Sequence, residues 1–189
     1  PVEGLVDRAA QQVQVAAQGI GIGWGIAPDG TLHFLAAKHP GRGAQRPAAE
    51  VGRLFWLLRE YCQREQEELR ENGVRVTAIG RRDRIPKSAL AALERAEAFT
   101  RSGTRLHLRL AIDYSSRWAI AEAVREVACR IKRGEIDPDT IAVETLHHEV
   151  ARLVPDPDLL VRTAGEQRLS DFLLWEAAYA ELYFTPVLW

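Results

Sequence analysis

Between Val2 and Ala17 apolar residues return every three or four positions, at Val2, Leu5, Val6, Ala9, Ala10, Val13 and Ala17, and Gly19 follows them. That period is helical, and a glycine just past the last apolar position is a common stop. The pattern then changes: IGIGWGIAPDGTLHFLAA reads as two extended runs around Pro28-Asp29-Gly30, whose turn chemistry predicts a hairpin. A basic, glycine-rich stretch, KHPGRGAQ, leads to Arg46-Pro47, and proline suits the first turn of a helix. Val51, Leu54, Leu58, Tyr61, Cys62 and Leu69 make one apolar stripe opposite a face of Glu, Arg and Gln, so a long helix is expected up to Asn72-Gly73.

Beyond Gly73 strands and helices alternate. VRVTAIG (74–80) has the period of a strand, PKSALAALERAEAFTRSG that of a helix with a glycine stop, and TRLHLRLAIDY alternates Leu106, Leu108, Leu110, Ile112. An amphipathic helix is expected over about 116–133, closed by Gly134, then a short helix near 143–150 and the strand DLLVR. The run FLLWEAAYAEL reads as a last helix, with Ser170 or Asp171 as its N-cap. Repeated strand and helix units argue an α/β fold, a mostly parallel central sheet flanked by helices.

Composition narrows this little. With 189 residues and 47% hydrophobic content, the chain is long enough for one core, and a single domain over 1–189 is expected. A formal net charge of −1 excludes a broadly basic nucleic-acid or membrane-surface binder, so any anion site must be local. Two cysteines, Cys62 and Cys129, without metal-ligand spacing fit a reducing compartment, the cytoplasm. No apolar run reaches the roughly 18 to 20 residues that span a bilayer. Methionine is absent and the chain begins at Pro1 inside a helical pattern, so residues preceding Pro1 in the gene product are expected.

The chemistry concentrates in RTAGEQRLSDFLLW, residues 162–175. Arg162 stands where a strand runs out, beyond the carboxyl edge where open α/β sheets place their ligands. Two guanidinium forks beside a helix N-terminus would suit a diphosphate. The bland alternative stands beside it at even odds: Arg162 and Arg168 pair with Asp156, Asp158, Glu166 or Asp171 and only knit the surface. GIGIGWG lacks dinucleotide-fingerprint spacing and leads to a hairpin, so tight backbone packing explains it better. Ser115, Ser116 and His147-His148 carry no triad meaning.

LVRTAGEQRLSDFLLWEAAYAELYFTPVLW closely resembles the C-terminal signature of cis-prenyltransferases, the undecaprenyl diphosphate synthase family. RPAAEV with LLREY, ENGVRVTAIG followed by RIP, and LRLAIDYSSRWAIAEAVREVA extend the resemblance over about Arg46 to Trp189. It implies that family's fold, and an enzyme condensing isopentenyl diphosphate onto an allylic diphosphate such as farnesyl diphosphate, with Mg²⁺, to form cis double bonds in a polyprenyl diphosphate. It further implies that Arg162, Arg168 and Ser170 grip the diphosphate of isopentenyl diphosphate, that Arg46 contacts the allylic diphosphate, and that Glu181 lies near the metal. The long helix from about residue 48 would wall a hydrophobic tunnel. A homodimer in the cytoplasm, working at the inner membrane face, is the implied setting.

The chain also departs from that family. The first phosphate loop, MDGNGRWA, with its metal-positioning aspartate, does not occur in these residues. Gly43 and Ala44 in GRGAQRP stand where the family has the Asn and Trp of S-x-N-W-x-R-P, and Asp113-Tyr114-Ser115-Ser116 replaces Asn-Tyr-Gly-Gly. A second reading therefore stays open: a non-catalytic homologue, serving as partner subunit to a catalytic one or as an isoprenoid-diphosphate binding protein.

Overall fold

The structure, a computed structural model, describes residues 24–26, 32–35, 48–152 and 154–187. Strands β1 (Trp24–Ile26) and β2 (Leu32–Leu35) pair antiparallel, Trp24 opposite Phe34 and Ile26 opposite Leu32, which is the expected hairpin. Its turn, the expected helix over 2–17 and the Gly41–Arg46 loop lie outside the described residues. The striped helix is bent rather than continuous: α1 (Ala48–Arg64) gives way at Glu65 to α2 (Gln66–Glu71). Helical hydrogen bonds from Glu65 N to Tyr61 O and from Leu69 N to Glu65 O, both 2.9 Å, carry across the bend.

Then follow β3 (Val74–Ile79), α3 (Lys87–Thr100), β4 (Leu106–Ala111), α4 (Ser116–Lys132), a 3₁₀ turn at Pro138–Thr140, α5 (Val143–Ala151) and β5 (Leu159–Arg162). Gly134, with φ of +73°, supplies the left-handed residue that ends α4. After a second 3₁₀ turn at Glu176–Tyr179, β6 (Glu181–Phe184) completes a sheet of order β3-β4-β2-β1-β5-β6. β3, β2 and β4 run parallel, as do β5 and β6, while β1 is antiparallel to both of its neighbours. The sheet is thus mostly parallel, and its one reversed strand is the hairpin arm, because a short turn can only return the chain antiparallel.

Neighbouring residues of a strand serve opposite faces. Ala78 and Leu110 pack with Cys62 of α1 and with Ala89, Ala92, Leu93 and Ala96 of α3. Ile79 and Ala111, one residue on, join Tyr114, Val154, Leu160, Phe172, Leu173 and Ala177 in a second core. Helix α3 also covers the sheet's edge. Val76 and Ala78 of β3 point their N–H groups away from β4, and these are met by Thr100 Oγ1 at 3.0 Å and by Glu97 Oε1 at 2.7 Å. Arg82 locks Glu97 in place with bonds of 2.9 Å from Nη1 and 2.5 Å from Nη2. Among the described residues no helix is long and apolar enough to cross a membrane.

One expectation is overturned. FLLWEAAYAEL is not a helix: Leu169–Trp175 is a series of turns, Glu176–Tyr179 a single 3₁₀ turn, and Glu181–Phe184 an edge strand. Ser170, Asp171 and Leu173 hold φ values of +52°, +64° and +45°, which no right-handed helix accommodates. Backbone groups that a helix would satisfy internally bond elsewhere: Leu174 N donates to Ser116 Oγ at 2.8 Å, and Asp171 O accepts from Ser116 N at 2.9 Å. Phe172, Leu173 and Ala177 are apolar because they fill the second core, not because they line a helix.

Candidate functional site

All strands but β1 end on one side of the sheet, and from that edge the loop after β5 meets the turn between β4 and α4. Arg162 closes β5, and the main chain here is tied to the C-terminal segment by bonds of 3.0 Å from Thr185 N to Arg162 O and from Gly165 N, in the following loop, to Thr185 O. Its Nη2 donates to Glu166 Oε2 at 2.9 Å, while Arg168 Nη2 donates to Glu166 Oε1 at 2.6 Å. The two guanidinium groups therefore converge on one carboxylate and leave a net positive charge. Burial alone would raise the Glu166 carboxyl, but the charges and hydrogen bonds of Arg168 and Arg162 outweigh it and hold it below the usual glutamate value.

The pairing expected under the bland reading is thus realised for Glu166. It does not exhaust the forks, since each guanidinium carries five N–H donors and Arg168 is 61% exposed against 19% for Arg162. Ser170, two residues on, is exposed at the rim of the same loop.

The helix N-terminus expected beneath this loop is absent, so the positive charge is that of the arginines alone. A different helix end is present, and it is already filled. Ser115 caps α4 by accepting from Trp118 N at 3.2 Å, and donates its own hydrogen to Asp171 Oδ2 at 2.6 Å. Asp171 Oδ1 accepts from Arg117 N at 3.1 Å. A carboxylate sits well at the positive end of α4, and here the protein supplies it.

Beneath the loop Tyr114 OH donates to Glu176 Oε1 at 3.2 Å and lies 3.4 Å from Ser116 Oγ. The Tyr114 and Phe172 rings meet edge to face, centroids 5.7 Å apart. Glu176 is 2% exposed, its Oε2 has no hydrogen-bond partner among the described residues, and burial holds its carboxyl above the ordinary value. The sequence did not single out this buried pair; the only signal was a glutamate inside an otherwise apolar run.

Glu181 lies elsewhere. It opens β6 beside Leu159, three positions before the pair of Arg162 with Phe184, or roughly 10 Å along the strand. Its side chain is exposed, and among the described residues no three His, Cys, Asp or Glu converge as a metal site. Arg46 lies outside the described residues. Cys62 is no nucleophile: burial, with the charge of Glu97, pushes its thiol up to about 11.

Comparison with known proteins bears on the same residues. Residues 43–189 match the family described as "Putative undecaprenyl diphosphate synthase". The chain is 48% identical over 145 residues to isoprenyl transferase 2 of Bradyrhizobium diazoefficiens, covering 76% of this chain and 58% of that protein. It is 40% identical over 145 residues to the ditrans,polycis-undecaprenyl-diphosphate synthase, (2E,6E)-farnesyl-diphosphate specific, of Coxiella burnetii, covering 76% of this chain and 61% of that protein. Among solved structures, lavandulyl diphosphate synthase from Lavandula x intermedia, in complex with dimethylallyl diphosphate, superimposes with a TM-score of 0.71 at 33% identity, over 75% of this chain and 62% of that one. A probable undecaprenyl diphosphate synthase from Campylobacter jejuni gives 0.66 at 31%, over 76% and 65%. The chain thus spans less than two thirds of the length of these relatives. With its parallel sheet and with the family's model matched from residue 43 to the end, the chain belongs to the undecaprenyl diphosphate synthase family of cis-prenyltransferases.

Proposed function

We propose that this chain is the diphosphate-binding part of a cis-prenyl diphosphate synthase, which condenses isopentenyl diphosphate with an allylic diphosphate such as farnesyl diphosphate. The observation that carries the reading is the convergence of Arg162 and Arg168 on one carboxylate at the carboxyl edge of the sheet, in a chain of this family. Arg162, Arg168 and the Ser170 hydroxyl would hold the diphosphate of isopentenyl diphosphate, and Arg46 that of the allylic partner. The nucleophile is then the substrate's own alkene: its π electrons form the new carbon–carbon bond as the allylic C–O bond breaks, diphosphate leaves with the electron pair, and a proton is lost. Cationic groups fixed before the reaction stabilise charge without having to reorganise.

Mg²⁺ belongs to this proposal with Glu181 as the described carboxylate nearest in role. The described residues by themselves do not fit a metal cage, so no step is assigned to the ion; loss of turnover in EDTA, restored by Mg²⁺, is the check. A homodimer is supported by β6, an edge strand whose Leu182 and Tyr183 are each 47% exposed; sedimentation at twice the chain mass would bear it out. The cytoplasmic face of a membrane, where a growing polyprenyl tail could be released, is the setting we infer.

The test is incubation of the purified chain with radiolabelled isopentenyl diphosphate, farnesyl diphosphate and Mg²⁺, alongside calorimetric titration with isopentenyl diphosphate. Butanol-extractable product and binding that Arg168→Ala weakens about tenfold or more support the synthase. Binding without product assigns the chain to the non-catalytic reading, and affinity unchanged in Arg168→Ala removes that arginine from the site.

A further inference from the structure

The loop that carries Arg168 and Ser170 is shaped by groups that are not themselves expected to touch a ligand. Ser170 and Asp171 both lie in the left-handed region, at φ of +52° and +64°. Such backbone is unfavourable at non-glycine residues and persists only where the surroundings impose it. Here the imposing contacts meet at Asp171. Its two carboxylate oxygens accept from Ser115 Oγ and Arg117 N, and its carbonyl accepts from Ser116 N at 2.9 Å. Ser116 Oγ takes Leu174 N on the far side of the same turn.

We propose that Asp171 is a positioning residue for diphosphate binding: by stapling its loop to the first turn of α4 through Ser115 and Arg117, it imposes the left-handed backbone that presents Ser170 and Arg168. The proposal rests on the assignment of Arg168 and Ser170 to a diphosphate. It also gives Ser115 a part. Its hydroxyl makes a 2.6 Å bond to Asp171 that a glycine at this position would lose.

Simple electrostatics predicts the opposite sign, which makes the proposal testable. Removing a carboxylate near an anion site should tighten anion binding, whereas losing the staple should weaken it. Inorganic pyrophosphate is titrated calorimetrically into the full chain as wild type, Asp171→Ala, Asp171→Asn, Ser115→Gly and Arg168→Ala, with a thermal unfolding curve for each. Asp171→Ala is expected to weaken binding about tenfold, the equivalent of about one hydrogen bond to a charged group. Asp171→Asn, which tolerates left-handed φ and keeps an acceptor for Arg117 N, should recover most of that loss. Ser115→Gly should weaken binding about threefold with little change in unfolding midpoint, since glycine is a tolerable N-cap.

Asp171→Ala binding as tightly as wild type or tighter, while Arg168→Ala binds weakly, overturns the positioning role and leaves the diphosphate site standing. Unchanged affinity in Arg168→Ala removes the site and the proposal with it. Should Asp171→Ala fail to fold, Ser115→Gly decides alone, and wild-type affinity there overturns the proposal.

Discussion

Thr100→Val should destabilise the chain more than Thr100→Ser, although valine is the better match in shape and apolarity for a fully buried site. Thr100 is 0% exposed. Its Oγ1 donates to Ala96 O at 2.8 Å and accepts from Val76 N at 3.0 Å. Because β3 is an edge strand, Val76 N–H has no partner in the ladder and no route to water once α3 covers it. Valine keeps the volume, so little cavity forms; what is lost is the acceptor. Leaving a buried N–H unsatisfied costs about 1–3 kcal/mol, to which the hydroxyl's own bond adds up to about 1 kcal/mol. Serine keeps both bonds and loses one buried methyl, about 1 kcal/mol. Urea unfolding followed by circular dichroism reads the difference directly: the Val variant's midpoint should fall about twice as far as the Ser variant's at unchanged slope. A Val variant as stable as wild type, or more stable than the Ser variant, would refute the idea that α3 satisfies the strand edge.

Three further outcomes follow from other sites. Glu176 has a folded-state pKa raised chiefly by burial above the ordinary 4.5, so the folded state holds its proton more tightly than the unfolded one. The stability it contributes is complete below the unfolded value and is lost as pH rises through the folded value. Glu176→Gln, uncharged throughout, should flatten that decline and unfold at a higher temperature than wild type near neutral pH; a parallel pair of curves from about pH 4 to pH 8 would show the carboxyl is not the cause. Gly80 has φ of +104°, and a Cβ there would lie 2.2 Å from Ile112 O, so Gly80→Ala should cost about 3 kcal/mol or more in urea unfolding. Gly52→Ala, in α1 with nothing among the described residues beyond its own helix backbone within 4 Å of the added carbon, should instead stabilise by about 0.5–1 kcal/mol.

Which parts of this protein could be read without its structure follows from what each part depends on. The strand and helix units from Val74 to Arg162 are local matters: a period of two or of 3.6, a proline before α3, a glycine after α4. Each is settled by neighbours in sequence, and the parallel sheet follows from the connections. The pairing of Arg162 and Arg168 with Glu166 was also within reach, because the three lie within seven residues. The family likewise shows in the motif itself.

The segment from Leu169 to Phe184 behaved differently. FLLWEAAYAEL has helical propensity and a plausible cap, yet its backbone follows partners that lie more than fifty positions away. Ser116 takes the main-chain bonds of Asp171 O and Leu174 N that a helix would have used, and the second core takes Phe172, Leu173 and Ala177. Sequence alone determined the fold class, the family and the positive charge of the loop, because these rest on local pattern and residue type. Only the tertiary structure decided that no helix end supports that charge and that the Asp171 carboxylate sits at the first turn of α4 instead, because a short segment's own preference of a few tenths of a kcal/mol per residue yields to buried contacts worth more.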